Sequence, residues 1–129
     1  MSFSLPWLAA SALIAFATFL IHIILGGRDS ARVLLATDMA FEPKYTHYLC
    51  WHMVSITLFA VSVGLGLPLV VRAAWELALA ALILTAAFFV WSLLLVRVSR
   101  AQSIWVMPQW TLFAAITLTG VISFAVGGA

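Results

Sequence analysis

Apart from Glu76, near the start of the third window, the charged residues are confined to the stretches between four long apolar windows, and this spacing constrains the chain more than any other feature. The windows cover about residues 5–25, 48–71, 73–96 and 104–126. A helix needs about 17 to 25 apolar residues to cross the hydrocarbon core of a bilayer. Continuously apolar runs such as residues 77–90 lack the alternation of a membrane β-strand. The sequence therefore predicts an all-α integral membrane protein, a four-helix up-and-down bundle with short loops, formed by one domain over residues 1–129.

The composition excludes several classes of protein. Hydrophobic residues make up 66% of the 129 residues and charged residues 8%, whereas about a quarter of a soluble chain is charged. A net charge of +2 is too small for a nucleic-acid-binding protein, and Cys50 is the only cysteine, so no disulfide framework can form. The expected environment is the lipid bilayer.

Glycine and proline predict where the helices begin and end. Gly26–Gly27 is expected to stop the first helix, and Pro43 is expected to be a first helical position of the second. The fourth helix is expected to begin at Ile104, or at Pro108 if that proline starts it. No Lys or Arg precedes the first window, which predicts a retained helix rather than a signal peptide.

The first loop, residues 26–46, is long enough to hold structure of its own. Asp29 or Ser30 is expected to cap a short helix over residues 31–37. Arg28 and Arg32 would then lie one turn apart. With the Gly26–Gly27 amides they form a candidate site for an anionic lipid headgroup; the alternative is an interfacial segment that obeys only the charge bias.

The distribution of basic residues predicts the orientation in the membrane. Five of the six lie in the first and third loops: Arg28, Arg32, Lys44, Arg97 and Arg100. The remaining one, Arg72, lies on the other side, where Glu76 is expected to pair with it as an i, i+4 neighbour. Because Lys and Arg favour the cytoplasmic loops, we expect a multi-pass inner (plasma) membrane protein with both termini away from the cytoplasm.

Small and weakly polar residues indicate which helix faces pack together, since apolar burial contributes little between helices in lipid. Each window has one such stripe at helical spacing. The four stripes are Ser11, Ala15, Thr18 and His22; His52, Ser55, Phe59, Ser62 and Gly66; Ala78, Ala81, Thr85 and Ser92; and Gln109, Gly120, Ser123 and Gly127.

His22, His52 and Gln109 are the candidate cofactor-binding residues. Each lies near the loop-one and loop-three side of its window, so the three side chains are expected to converge in one polar pocket. His47 and Cys50 point away from the direction of His52 and are expected to face the interface, lipid or a partner. Polar side chains inside a span are functional candidates by default, although neutral histidines can also serve only as hydrogen-bonded packing between helices.

Several chemistries could use these residues. Two inward imidazoles at equal depth are the minimum for axial ligation of haem b, whereas a metal ion has no Cys or carboxylate to complete its ligands. A quinone could lie among Trp51, Trp91, Trp105 and Trp110, although tryptophans also form interfacial belts. The four spans match small multidrug exporters in size, but the first helix lacks the membrane-embedded Glu on which those proteins depend.

The hydrophilic parts are too small to form a substrate domain. We therefore expect a small accessory or structural subunit of a larger membrane assembly, without evident catalytic machinery, which contacts a membrane-protein partner or further copies of itself. The alternative is a small b-type haem or redox-ligand protein that uses His22 and His52.

Overall fold

The computed structural model describes residues 2–127, which form four long helices and no strand. They are α1 (Leu5–Leu35), α2 (Phe41–Leu69), α3 (Arg72–Val98) and α4 (Gln109–Gly127). Each helix is long and apolar enough to cross a membrane. The predictions of an all-helical chain and of four helices of this kind are confirmed.

The helices pack as a closed ring. Each helix packs against the next one in the chain, and α4 packs against α1. The bundle thus has two ends. The terminal end holds residues 3–4, the α2–α3 connection and residue 127. The basic end holds the connections over residues 36–40 and 99–108, and five of the six basic residues lie toward it.

The core combines small polar residues with large apolar ones. Of the predicted stripes, Ser11, Ala15 and Thr18 are buried on α1, and the members buried on the other helices are Ser55, Ser62, Ala78, Ala81, Thr85, Gly120 and Ser123. The prediction was wrong for Phe59, which is half exposed. Large side chains that the stripes left out, including Leu8, Leu65 and Ile116, are fully buried.

Hydrogen bonds join α1 to α4 at the terminal end. Ser4 N–H donates to the Ser123 carbonyl at 2.9 Å, and the Ser123 hydroxyl donates back to the Ser4 carbonyl at 2.8 Å. The Ser11 hydroxyl donates to the Ile116 carbonyl at 2.8 Å. Small side chains let the backbones approach closely enough for these bonds, which fix the register of the two antiparallel helices.

The seams of α3 depend on close contact as well. A Cβ at Gly64 of α2 would stand 3.3 Å from the Leu77 carbonyl oxygen of α3, and a Cβ at Gly120 of α4 would overlap the Leu82 side chain. Thr117 donates a hydrogen bond to Thr85 at 3.1 Å across the α3–α4 seam. These two seams are therefore tightly packed.

The first helix continues through the expected stop. From His22 to Ala31 the backbone forms a π-helix, and an α-helical turn from Arg32 to Leu35 completes α1. The amide of Arg32 bonds to the Gly27 carbonyl, five residues back. The predictions that Gly26–Gly27 ends the helix and that a separate capped helix covers residues 31–37 were both wrong, because the helix runs on without a break or a side-chain cap.

The other helix ends differ little from the expected ones. The second helix begins at Phe41, two residues before Pro43, and the fourth begins at Gln109, directly after Pro108. Ile104 lies in a separate 3₁₀ turn, Ile104–Val106, so the start at Ile104 was wrong. Within residues 2–127, Arg72 and Glu76 form no ion pair, because the Arg72 guanidinium lies over the Phe3 ring, 5.3 Å from its centroid.

Candidate functional site

His22 and Trp51 form the centre of the contact between α1 and α2 near the basic end. Their rings are stacked, with centroids 4.8 Å apart and planes at 20°. His22 Nε2 lies 3.3 Å from the Trp51 carbonyl oxygen. A carbonyl only accepts hydrogen bonds, so Nε2 carries the proton in the neutral ring and Nδ1 is left as an acceptor.

His52 lies on the outward side of the same tryptophan. Its ring is edge-on to Trp51, with centroids 4.9 Å apart, and edge-on to Tyr48 at 4.6 Å. The side chain is exposed, so the prediction that His52 faces the bundle interior was wrong. The buried face of α2 instead carries Ser55, Leu58 and Leu65. This face lies toward α1 and α3, the two helices that pack against α2.

The Trp51 carbonyl oxygen accepts two side-chain hydrogen bonds. His22 Nε2 approaches it from α1, and the Ser55 hydroxyl donates to it at 3.1 Å from the following turn of α2. A carbonyl oxygen has two lone pairs. The backbone of Trp51 thus holds the imidazole of His22 in one orientation, while the indole stacks against the imidazole ring.

Two glycines of the π-helical segment face this tryptophan. A Cβ at Gly26 would stand 3.8 Å from both His22 Nδ1 and Trp51 Nε1, and a Cβ at Gly27 would stand 3.8 Å from the six-membered ring of the indole. Such distances are ordinary van der Waals contacts, so an alanine methyl group would fit at either glycine without a clash. π-helical turns occur frequently at functional sites.

Gln109 does not join the histidines. It is exposed, and it begins α4. The Ser4–Ser123 and Ser11–Ile116 bonds set a register in which Gln109 lies opposite about Thr18, roughly one helical turn short of His22. The expected three-residue pocket is therefore wrong; the structure brings together His22 and His52, with Trp51 between them.

The two arginines proposed for a lipid headgroup are exposed on the extended α1. Arg28 is paired with its neighbour Asp29, with Nε to Oδ1 at 2.6 Å and a second bond at 3.1 Å. The Asp29 carboxylate therefore neutralises the Arg28 guanidinium. Contrary to the prediction, Asp29 does not cap a helix. Arg32 follows one turn later, and no hydrogen bond joins it to another side chain in residues 2–127.

The remaining features of the chain lie away from this cluster. Among the described residues, no three His, Cys, Asp or Glu side chains are grouped to hold a metal ion. Two shallow apolar grooves, of about 280 and 220 Å³, lie at the α3–α4 and α2–α3 seams. The four tryptophans suggested for a quinone do not form one pocket: Trp91 is exposed, and Trp105 packs on Trp110 at 5.5 Å.

The sequence did not reveal that Trp51 contacts both histidines, because a place in an interfacial belt of tryptophans already accounted for this residue. The available signal was its position next to His52 and at the depth of His22. Comparison with protein-family models, with curated proteins and with solved structures gives no match to this chain.

Proposed function

We propose that the chain is a multi-pass membrane protein that serves as an accessory or structural subunit, docking onto a larger assembly through its membrane-embedded surface. The observation that carries this proposal is the use of the polar groups between the helices. The hydroxyls of Ser11, Ser123, Thr85 and Thr117 are all engaged in hydrogen bonds that join or support the seams. Packing thus accounts for the polar interior, and the outward apolar faces remain for a partner.

Site-specific photo-crosslinking in native membranes tests the docking. One outward residue on each helix carries the probe in turn: Leu13, Ile56, Ile83 and Leu118, which are 70%, 69%, 72% and 61% exposed. We expect adducts at the positions on one or two neighbouring helices, and a native-gel mass above that of the monomer. Ile116, which is fully buried, is the control and should give no adduct with a partner. A monomer without adducts at any of the four positions would refute the proposal.

The proposed orientation places both termini and the terminal end away from the cytoplasm, in an inner or plasma membrane. It is supported by the five basic residues toward the opposite end. In a Cys50→Ser background, a membrane-impermeant thiol reagent should label Ser30→Cys from the cytoplasmic side and Ser2→Cys from the other. The reverse pattern would invert the topology.

A second candidate function is the binding of haem b by His22 and His52, whose rings both lie within 5 Å of the Trp51 ring. The indole lies between them, so axial ligation of one iron by both histidines requires the indole to move. Haem b with these two axial ligands would give the detergent-purified protein a Soret band that His22→Ala and His52→Ala each abolish. Ligation through His22 Nε2 requires that its contact with the Trp51 carbonyl be broken. Colourless protein from haem-replete cells would eliminate this candidate.

A further inference from the structure

The space beside Gly26 distinguishes the α1–α2 contact from the tight seams of the bundle. At Gly120 an added Cβ would overlap a neighbouring side chain, and at Gly127 it would overlap the backbone of Phe3. At Gly26 and Gly27 an added Cβ would touch nothing closer than 3.8 Å. Packing therefore explains the first two glycines, whereas at Gly26 and Gly27 it leaves a gap the size of a methyl group.

Two ring nitrogens of opposite character border this gap. Trp51 Nε1–H is a hydrogen-bond donor, and His22 Nδ1 is an acceptor in the tautomer that the Trp51 carbonyl selects. Neither nitrogen has a hydrogen-bond partner within residues 2–127. No described side-chain nitrogen is both unpartnered and sealed from solvent, so both can be reached from outside the bundle.

We propose that this gap binds the neutral hydroxyl group of a lipid-soluble molecule, the hydroxyl donating its proton to His22 Nδ1 and accepting one from Trp51 Nε1–H. A single hydroxyl satisfies a donor and an acceptor at once. A carboxylate or phosphate oxygen could use only the Trp51 donor, and an ammonium group only the His22 acceptor. The pairing therefore favours an alcohol or a phenol over these charged groups.

The dimensions of the gap support the insertion of one oxygen atom. The Cβ position at Gly26 lies 3.8 Å from each nitrogen. A non-bonded oxygen stands about 2 Å farther from the glycine Cα than a bonded Cβ does, so the proposed hydroxyl lies on the outer side of the Cβ position, where it must approach both nitrogens to the 2.7–3.2 Å typical of hydrogen bonds. A gap the size of a methyl group cannot hold a whole ring, so the rest of the ligand lies outside it.

Two ligand sources share this chemistry, an aliphatic alcohol and a quinol. The probes are 1-decanol and a decyl-substituted hydroquinone, each titrated into protein labelled with ¹⁵N at its six tryptophans. The indole N–H signal that is missing in Trp51→Phe identifies the site, and we expect it to shift saturably downfield with at least one probe. Saturation by decanol identifies an alcohol site, and saturation by the hydroquinone alone identifies a quinol site. No saturable shift with either probe would overturn the proposal.

Gly26→Ala is the decisive variant, because its methyl group fills the gap without a clash. We expect its affinity for the probe to fall at least tenfold, with its thermal midpoint unchanged or raised, since alanine favours helix more than glycine does. Gly66→Ala on α2 is the matched control: a Cβ there would meet nothing within 4 Å, and binding should be unchanged. Wild-type affinity in Gly26→Ala would overturn the site, whether or not the protein docks onto a partner.

Discussion

The two ends of the bundle are built differently. At the terminal end, backbone and hydroxyl bonds join α1 to α4, and Phe3 packs between Phe124 and the Arg72 guanidinium. At the basic end, α1 and α2 meet through stacked rings beside a π-helical segment, and a methyl-sized gap remains. The contacts at the terminal end stabilise the fold. The basic end keeps unpartnered polar atoms, as sites of binding commonly do.

This difference predicts the largest effect for overpacking the tight end. Gly120→Leu forces a side chain into the space of Leu82, and we expect the free energy of unfolding to fall by about 2–3 kcal/mol. Unfolding by SDS titration of micelle-bound protein measures it. Gly66→Leu, where a Cβ meets nothing within 4 Å, should stay within about 0.5 kcal/mol. Equal losses in the two variants would show that the α3–α4 seam is no tighter than the surface of α2.

Amide hydrogen exchange compares the two ends within one helix. We expect residues 22–31 to exchange at least about tenfold faster than residues 8–18, a difference of about 1.4 kcal/mol in opening free energy. The reason is that the π-helical segment is mostly exposed, whereas α1 nearer the terminal end contacts two helices. The measurement is made on the protein in detergent micelles. Uniform protection along α1 would contradict the comparison.

Removing single hydroxyl groups should have smaller effects. Ser11→Ala leaves the buried Ile116 carbonyl without its inter-helix donor, and we expect a loss of about 1 kcal/mol in the free energy of unfolding. Thr57→Ala is the control, because Thr57 bonds only to the Met53 carbonyl of its own helix. That variant should change stability by a few tenths of a kcal/mol at most. If Thr57→Ala lost as much stability as Ser11→Ala, the inter-helix bond of Ser11 would contribute nothing beyond a bond within one helix.

The smallest expected effect is a gain at the basic end. Arg100 has a φ of 52°, the left-handed region that favours glycine, and it follows the last turn of α3. Arg100→Gly should therefore raise the free energy of unfolding by about 0.5 kcal/mol. Arg97→Gly removes the same charge from within α3 and should lower it by about 1 kcal/mol. Destabilisation in Arg100→Gly would show that its side chain contributes more than its backbone costs.

Much of the helical framework could be predicted, because lipid-length apolar windows leave few alternatives. The course of α1 beyond His22 could not, since a glycine pair usually marks a helix end, whereas here the backbone continues through Gly26 and Gly27 as a π-helix. The wider π-helical turn also shifts every following side chain around the axis, so 3.6-residue periodicity fails there. Small-residue stripes predicted Ser11 and Thr85 but missed Leu8 and Ile116, because the centre of a four-helix bundle is wide enough for large side chains.

For the site, the sequence placed His22 and His52 at similar depth but could not provide their orientation. Helix α2 has two neighbours, and the buried sector lies between them rather than around the polar residues alone. His52 therefore points outward. The role of Trp51 depends on its carbonyl and indole acting together against α1, and no residue spacing encodes this.

The bonds between Ser4 and Ser123 have a consequence for the order of assembly. Their partners are separated by almost the whole chain, whereas α1 and α2 are joined by a five-residue connection. During synthesis the α1–α2 contact can form early, but Ser11 has no Ile116 carbonyl to bond until α4 has been synthesised. The ring thus closes late, and the stretch of α1 that bonds to α4 is the one whose partner is synthesised last.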